Sequence, residues 1–148
     1  MTSQSGFTLL ELVVVLVTVG VLSAVTIPAF SAGPPDDPAV MGASEVVSLL
    51  RSARSRALER AQSVTLRIDG QTRMFVLATE ASDSIEEIAQ GIVTLPQGTT
   101  LGTTTASSAL FRFAATGAAR GDTVFVRGGG PAVAVWVDRW TGAPHVRQ

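Results

Sequence analysis

One carboxylate stands where carboxylates are costly. Glu11 lies four residues after Phe7 inside an apolar stretch, and the nineteen residues from Leu12 to Phe30 carry no charge. An acid within such a run marks a functional position by default. The chemistry open to it is pairing with a cation, since a buried carboxylate without a partner keeps its desolvation penalty. Other candidates are weaker. His145 is the one histidine, with Asp138 as the only acid within ten residues. Asp83, Glu86 and Glu87 cluster, but a calcium site needs about 6–8 oxygens, so they read as a solvated loop. Gly128-Gly129-Gly130 follows an apolar run but lacks the Lys-Ser/Thr of a phosphate-binding loop and reads as a turn. Trp140 beside Arg139 reads as an aromatic at the rim of the core, with a stacking surface as the other reading. No residue set points to catalysis, to a cofactor or to a metal ion.

Composition narrows the classes further. The chain has 148 residues, the length of about one domain. It holds no cysteine, which excludes disulfide scaffolds, thiolate metal sites and cysteine nucleophiles. Its 11 basic residues are all Arg and face 12 acids, for a net charge of -1. Charged residues make up 16% and mean hydropathy is +0.37, the opposite of a disordered composition.

The apolar run must position Glu11. Phe7 to Phe30 is 24 residues, about 36 Å of helix at 1.5 Å per residue, enough for a hydrocarbon core of about 30 Å. A cleavable secretory signal fits poorly, because the run is too long and Met1 to Gly6 contains no basic residue.

The stretch GFTLLELVVVLVTVGVLSAVTIPAF, Gly6 to Phe30, resembles the N-terminus of type IV pilins and of type II secretion pseudopilins. That family has a short polar leader ending in Gly, then Phe, then an apolar helix with Glu at its fifth position. Here these are Gly6, Phe7 and Glu11, with Pro28 at the place of a frequent family proline. The resemblance implies that a prepilin peptidase cuts between Gly6 and Phe7 and methylates the new Phe7 amine. Glu11 would then lie in the first turns of a helix, where negative charge is favoured, and could pair with the N-terminal amine of a neighbouring subunit. The resemblance also implies a single-pass protein of the bacterial inner membrane, with the N-terminus cytoplasmic, the C-terminal head periplasmic, and other pilins or pseudopilins as partners. The leader lacks Lys and Arg, so positive-inside charge encodes this orientation weakly.

Beyond the run, residues 31–42 are rich in Pro and Gly and read as a linker that would let the head swing. Ser44 to Ala61 reads as an amphipathic helix capped by Ser44. Val46, Leu50, Ala53, Ala57 and Ala61 recur at three- and four-residue steps. Arg54 falls within the apolar arc, which predicts a buried stem and a guanidinium bonded to backbone carbonyls. Ala53, Arg54, Ser55, Arg56 and Ala57 resemble the Ala-Arg-Ser-x-Ala signature of H-type minor pseudopilins (GspH) and FimT-like minor pilins.

The remainder reads as β structure. Ser63–Asp69 and Arg73–Thr79 form an expected hairpin over Gly70-Gln71. Glu80–Gln90 is polar, with one helical turn expected at Ile85–Ala89. Ile92–Leu95, Thr99–Leu101, Leu110–Ala114, Thr123–Arg127, Ala132–Asp138 and Ala143–Arg147 are expected strands, and Gly117–Gly121 an expected turn. The domain plan is therefore a leader (1–6), a stem helix (7–30), a linker (31–42) and an α+β head (43–148) with one helix on mostly antiparallel strands. The resemblance implies a non-enzymatic minor pseudopilin that helps build a short secretion pseudopilus, or else a minor pilin for pilus assembly or DNA uptake. DNA capture is disfavoured by charge. The head holds 11 Arg and 9 acids, a net of +2, and Arg127, Arg139 and Arg147 with Trp140 reach only a few phosphates.

Overall fold

A computed structural model describes residues 13–15, 37–81, 84–104 and 107–148. The chain divides into two units, Met1–Ala32 and Gly33–Gln148. In the first, residues 13–15 are helical. Gly6, Phe7, Glu11 and most of the apolar run lie outside the described residues. Among the described residues, no helix is long and apolar enough to cross a membrane.

The second unit opens with helix α1, Pro38–Arg60. The helix starts six residues before the expected Ser44, so residues 38–42 are helical rather than linker. The reason is local. Pro38 occupies the first turn, where its missing N–H is no loss and its fixed φ is already helical. Asp37 is the N-cap, its side chain accepting a hydrogen bond from the Ala39 N–H at 2.9 Å. Ser44 is no cap; its hydroxyl donates to the Met41 carbonyl one turn back at 2.6 Å. The helix ends where Ala61 turns left-handed at φ 50°.

The α1 stripe buries Ala39, Gly42, Ala43, Val46, Val47, Leu50, Ala53 and Ala57. Gly42 permits a close approach: a Cβ there would sit 2.9 Å from Val126 Cγ1. Ala61, expected in the stripe, is instead the exposed residue that caps the helix.

Among the described residues nine strands follow: β1 Val64–Asp69, β2 Met74–Ala81, β3 Ser84–Ile92, β4 Thr100–Thr103, β5 Ser108–Phe113, β6 Ala119–Gly121, β7 Val124–Arg127, β8 Val133–Val137 and β9 Pro144–Arg147. They form a five-stranded sheet of order β3-β2-β1-β5-β6 and a four-stranded sheet of order β4-β7-β8-β9. Every pairing is antiparallel. Helix α1 packs on strands of both sheets. The core between them holds Leu50, Val64, Leu66, Ile68, Phe111, Phe113, Val124, Val126, Val133 and Val135. Burial of such side chains contributes about 1.5–3 kcal/mol each before entropy is counted. The head is α+β, as the pattern predicts.

Two strands were not foreseen. The helical turn expected at Ile85–Ala89 is strand β3, held against β2 from Ser84 to Ile92. The register shifts between Leu77 and Ala78, leaving Ile88 as an extra residue, and both Ile88 and Ala89 turn partly into the core. That bulge breaks the alternation by which a strand is recognised. The turn expected at Gly117–Gly121 contains β6, which pairs with β5 through Phe111↔Gly121, Arg112↔Arg120 and Phe113↔Ala119.

Candidate functional site

Within the described head, three arginines and a tryptophan gather at the β6 edge of the five-stranded sheet. On β5, Ala109, Phe111 and Phe113 point into the core. Period-two alternation then sends Arg112 to the opposite face. Its cross-strand partner is Arg120 on β6. Like charges directly opposite one another oppose pairing, so this stretch of ladder exists because its neighbours Phe111, Phe113 and Ala119 bury their other face.

The third arginine comes from the connection between β8 and β9, which is tied down by Asp138. The Asp138 carboxylate accepts hydrogen bonds from the Trp140 N–H at 3.0 Å, the Thr141 N–H at 2.7 Å and the Thr141 hydroxyl at 2.7 Å. The backbone closes the turn between the Gly142 N–H and the Asp138 carbonyl at 2.9 Å. The Thr141 N–H, followed by the Thr141 hydroxyl, holds the Asp138 carboxyl below the ordinary carboxylate range. This turn is docked onto β6 by the Ala119 N–H, which donates to the Arg139 carbonyl at 3.1 Å. Arg139 and Trp140 are thereby presented beside Arg120.

The result is an open groove of about 520 Å³ lined by Arg112, Arg120, Arg139, Trp140, Ser63 and Ala118, among others. Trp140 is 81% exposed. The expectation of an aromatic at the core rim is overturned; the tryptophan that packs is Trp136, stacked on His145 with ring centroids 5.7 Å apart. Sequence reading paired Trp140 with Arg139 but missed Arg112 and Arg120. The signal for Arg112 was its place between Phe111 and Phe113. For Arg120 there was none, because β6 has three residues and ends in glycine.

The other sequence candidates do not converge. Gly128-Gly129-Gly130 lies in the connection between β7 and β8. Glu86 and Glu87 are exposed on β3, not on a loop. Asp83, like Gly6, Phe7 and Glu11, lies outside the described residues. Among the described residues, no three His, Asp or Glu side chains gather as a metal site. Arg54 sits partly buried near Gly117. The guanidinium, expected to bond backbone carbonyls, instead has its Nε buried without a hydrogen-bond partner.

Comparison with known proteins places this architecture. The model of the family described as type II transport protein GspH matches residues 42–141. The chain belongs to the GspH family. A second model, the prokaryotic N-terminal methylation motif, matches residues 1–27. Among solved structures, the fold is similar to the minor pseudopilin EpsH of the Vibrio cholerae type 2 secretion system. That match has a TM-score of 0.57 and 18% identity, and covers 75% of this chain and 97% of that one. It is also similar to the Pseudomonas aeruginosa type IV minor pilin FimU. There the TM-score is 0.55 at 15% identity, covering 73% of this chain and 91% of that one. No curated protein sequence matches the chain. Members of the GspH family are structural subunits of pilin-type assemblies, not enzymes. They assemble with other pilins or pseudopilins.

Proposed function

We propose that this GspH-family chain is a minor pseudopilin, a subunit of a type II secretion pseudopilus that helps initiate or cap the fibre. The observation that carries the reading is the pairing of two segments on one chain, a methylation motif over residues 1–27 and a GspH head over residues 42–141. In this reading Gly6–Phe7 is the bond cut by a prepilin peptidase, and Phe7 becomes the methylated N-terminus. Phe7 to Phe30 anchors the protein in the inner membrane lipid with the head on the periplasmic side. Glu11 pairs with the amine of a neighbouring subunit once helices pack in the fibre.

The second reading is a minor type IV pilin, favoured by the likeness to FimU. Deleting the gene separates the two. Loss of secreted proteins from the medium with pilus functions intact supports the pseudopilus, and loss of pili with secretion intact supports the pilin. N-terminal sequencing of the membrane-extracted protein tests processing. A chain still starting at Met1 in cells with active prepilin peptidase would refute both readings.

Nucleic acid is not the partner in this reading. Three groove arginines neutralise only a few phosphates, so the protein binds DNA no tighter than about 10⁻⁴ M at physiological salt. Micromolar binding that falls steeply with salt would turn the reading towards DNA uptake.

A further inference from the structure

The arginine groove has a charge balance of its own. Arg112, Arg120 and Arg139 line it, while Asp122 follows β6 and Asp138 precedes Arg139, so the surplus is one positive charge. Both acids are committed to the scaffold. The Asp138 carboxylate takes three donors of its own turn. The Asp122 carboxylate accepts the Leu110 N–H at 3.0 Å, and the Asp122 N–H donates to the Leu110 carbonyl at 3.1 Å, which ties the end of β6 to β5. Arg120 and Arg139 are exposed. Both also border a second hollow of about 270 Å³ that shares Ala119 with the first. Ala118 and Ala119 give the groove an apolar wall, and Trp140 stands at its rim, 81% exposed.

We propose that the groove receives one acidic side chain, with an apolar residue beside it, from a different pilin-type subunit. The inference rests on the reading of the protein as a fibre subunit. A surplus of one charge matches one carboxylate. A polyanion needs a row of unopposed cations, and Asp122 and Asp138 interrupt such a row. Arginine suits the task because its planar donors grip a carboxylate bidentately. The anion also offsets the repulsion between Arg112 and Arg120, which oppose one another across β5 and β6. The apolar neighbour covers Trp140, since tryptophan and arginine together are the residues on which interface affinity concentrates. Volume sets the scale: about 520 Å³ is the size of a small-ligand site and holds a short segment rather than a domain face. A subunit that starts or caps the fibre has no copy of itself for a neighbour, so the acid comes from another chain.

The chain has no lysine, so an introduced amine reports without background of its own. Arg120→Lys and Arg139→Lys keep the charge and are made singly in the full-length protein. Native membranes are treated with a water-soluble carbodiimide, which joins an amine to a carboxylate in direct contact. The expected product is an amide between the introduced amine and an Asp or Glu of another pilin-type subunit, located by mass spectrometry. Arg127→Lys, on the other sheet, gives none. Arg120→Glu with Arg139→Glu lowers co-isolation of that subunit at least about tenfold, and thermal melts confirm that each variant folds. The contact is overturned if the amide lands on a second copy of this chain or if Arg127→Lys cross-links equally. It is also overturned if charge reversal leaves co-isolation unchanged, or if a short single-stranded oligonucleotide at micromolar concentration blocks the cross-link. A second arm uses the purified full-length protein in detergent and the probe acetyl-Asp-Phe-amide, read by tryptophan fluorescence, with Trp140→Phe assigning the signal. Binding with a Kd on the order of 1 mM is expected, and acetyl-Asn-Phe-amide binds at least about tenfold more weakly. Carboxylate preference without co-isolation of any pilin-type subunit supports the groove chemistry and refutes the fibre reading. Co-isolation without carboxylate preference refutes this contact alone.

Discussion

Gly142 faces the carbonyl oxygen of Gly117 so closely that a side chain at Gly142 would overlap it. Both residues are left-handed, at φ 67° and 87°. The contact joins the turn carrying Arg139 and Trp140 to the turn before β6. Gly142→Ala meets both a left-handed penalty and a backbone clash. It is expected to cost about 3 kcal/mol, read as a lowered melting temperature. A silent Gly142→Ala would show that the two turns are not locked together.

Gly117 also faces Arg54, whose Nε is buried and unpaired. Arg54→Met keeps the stem packing and removes the unpaired donor, so stability should rise by about 1 kcal/mol. Arg54→Ala loses the stem and should fall by a similar amount. Denaturant midpoints of the two variants are expected to move in opposite directions.

The true start of α1 predicts where the head can be cut. A fragment beginning at Gly33 keeps Asp37 and Ala39 and should melt as one unit. One beginning at Ala43 loses the N-cap and a buried first turn, costing about 2 kcal/mol or more. Asp37→Ala alone should cost about 1 kcal/mol. Equal melting temperatures for the two fragments would show that residues 37–42 contribute nothing.

Two turn aspartates predict an acid limb. Asp69 is held below its ordinary value of 3.8 chiefly by the Thr72 N–H, and Asp138 below the same value chiefly by the Thr141 N–H. A carboxylate with a lowered folded pKa contributes stability that is complete above the unfolded value and lost as pH falls through the folded one. Melting temperature should therefore be level near neutrality and fall from about pH 4 downward. Asp69→Asn with Asp138→Asn should flatten that fall. An unchanged slope would mean that these turns do not couple to folding.

Glu11 gives the prediction for assembly. Glu11→Leu should leave membrane insertion and cleavage after Gly6 intact, since neither needs an intramembrane charge partner. Co-purification with partner subunits should drop, because the carboxylate that pairs with the amine is gone. Wild-type co-purification of the variant would remove Glu11 from assembly.

Much of the head is legible in the residues alone. Val64, Leu66 and Ile68 alternate with Thr65, Arg67 and Asp69 around a Gly-bearing turn, and they form β1 and its hairpin with β2. The three- and four-residue recurrence from Val46 to Ala57 is the buried stripe of α1. These elements declare themselves because one face is apolar at the period of the backbone. The run from Phe7 to Phe30 and Glu11 within it are written just as openly in composition. What the tertiary structure decided is everything that depends on partners distant in sequence. Strand β3 is polar and bulged and becomes a strand because β2 offers it a ladder. Strand β6 is three residues long and exists because β5 and the Arg139 carbonyl take its N–H groups. Pro38 begins a helix rather than ending a linker because its position, not its identity, determines whether its missing donor matters. Arg112, Arg120 and Arg139 are unremarkable one by one; the antiparallel pairing of β5 with β6 and the Asp138 turn docked beside them bring the three to one groove. That convergence carries no period and no motif, so only the folded chain discloses it.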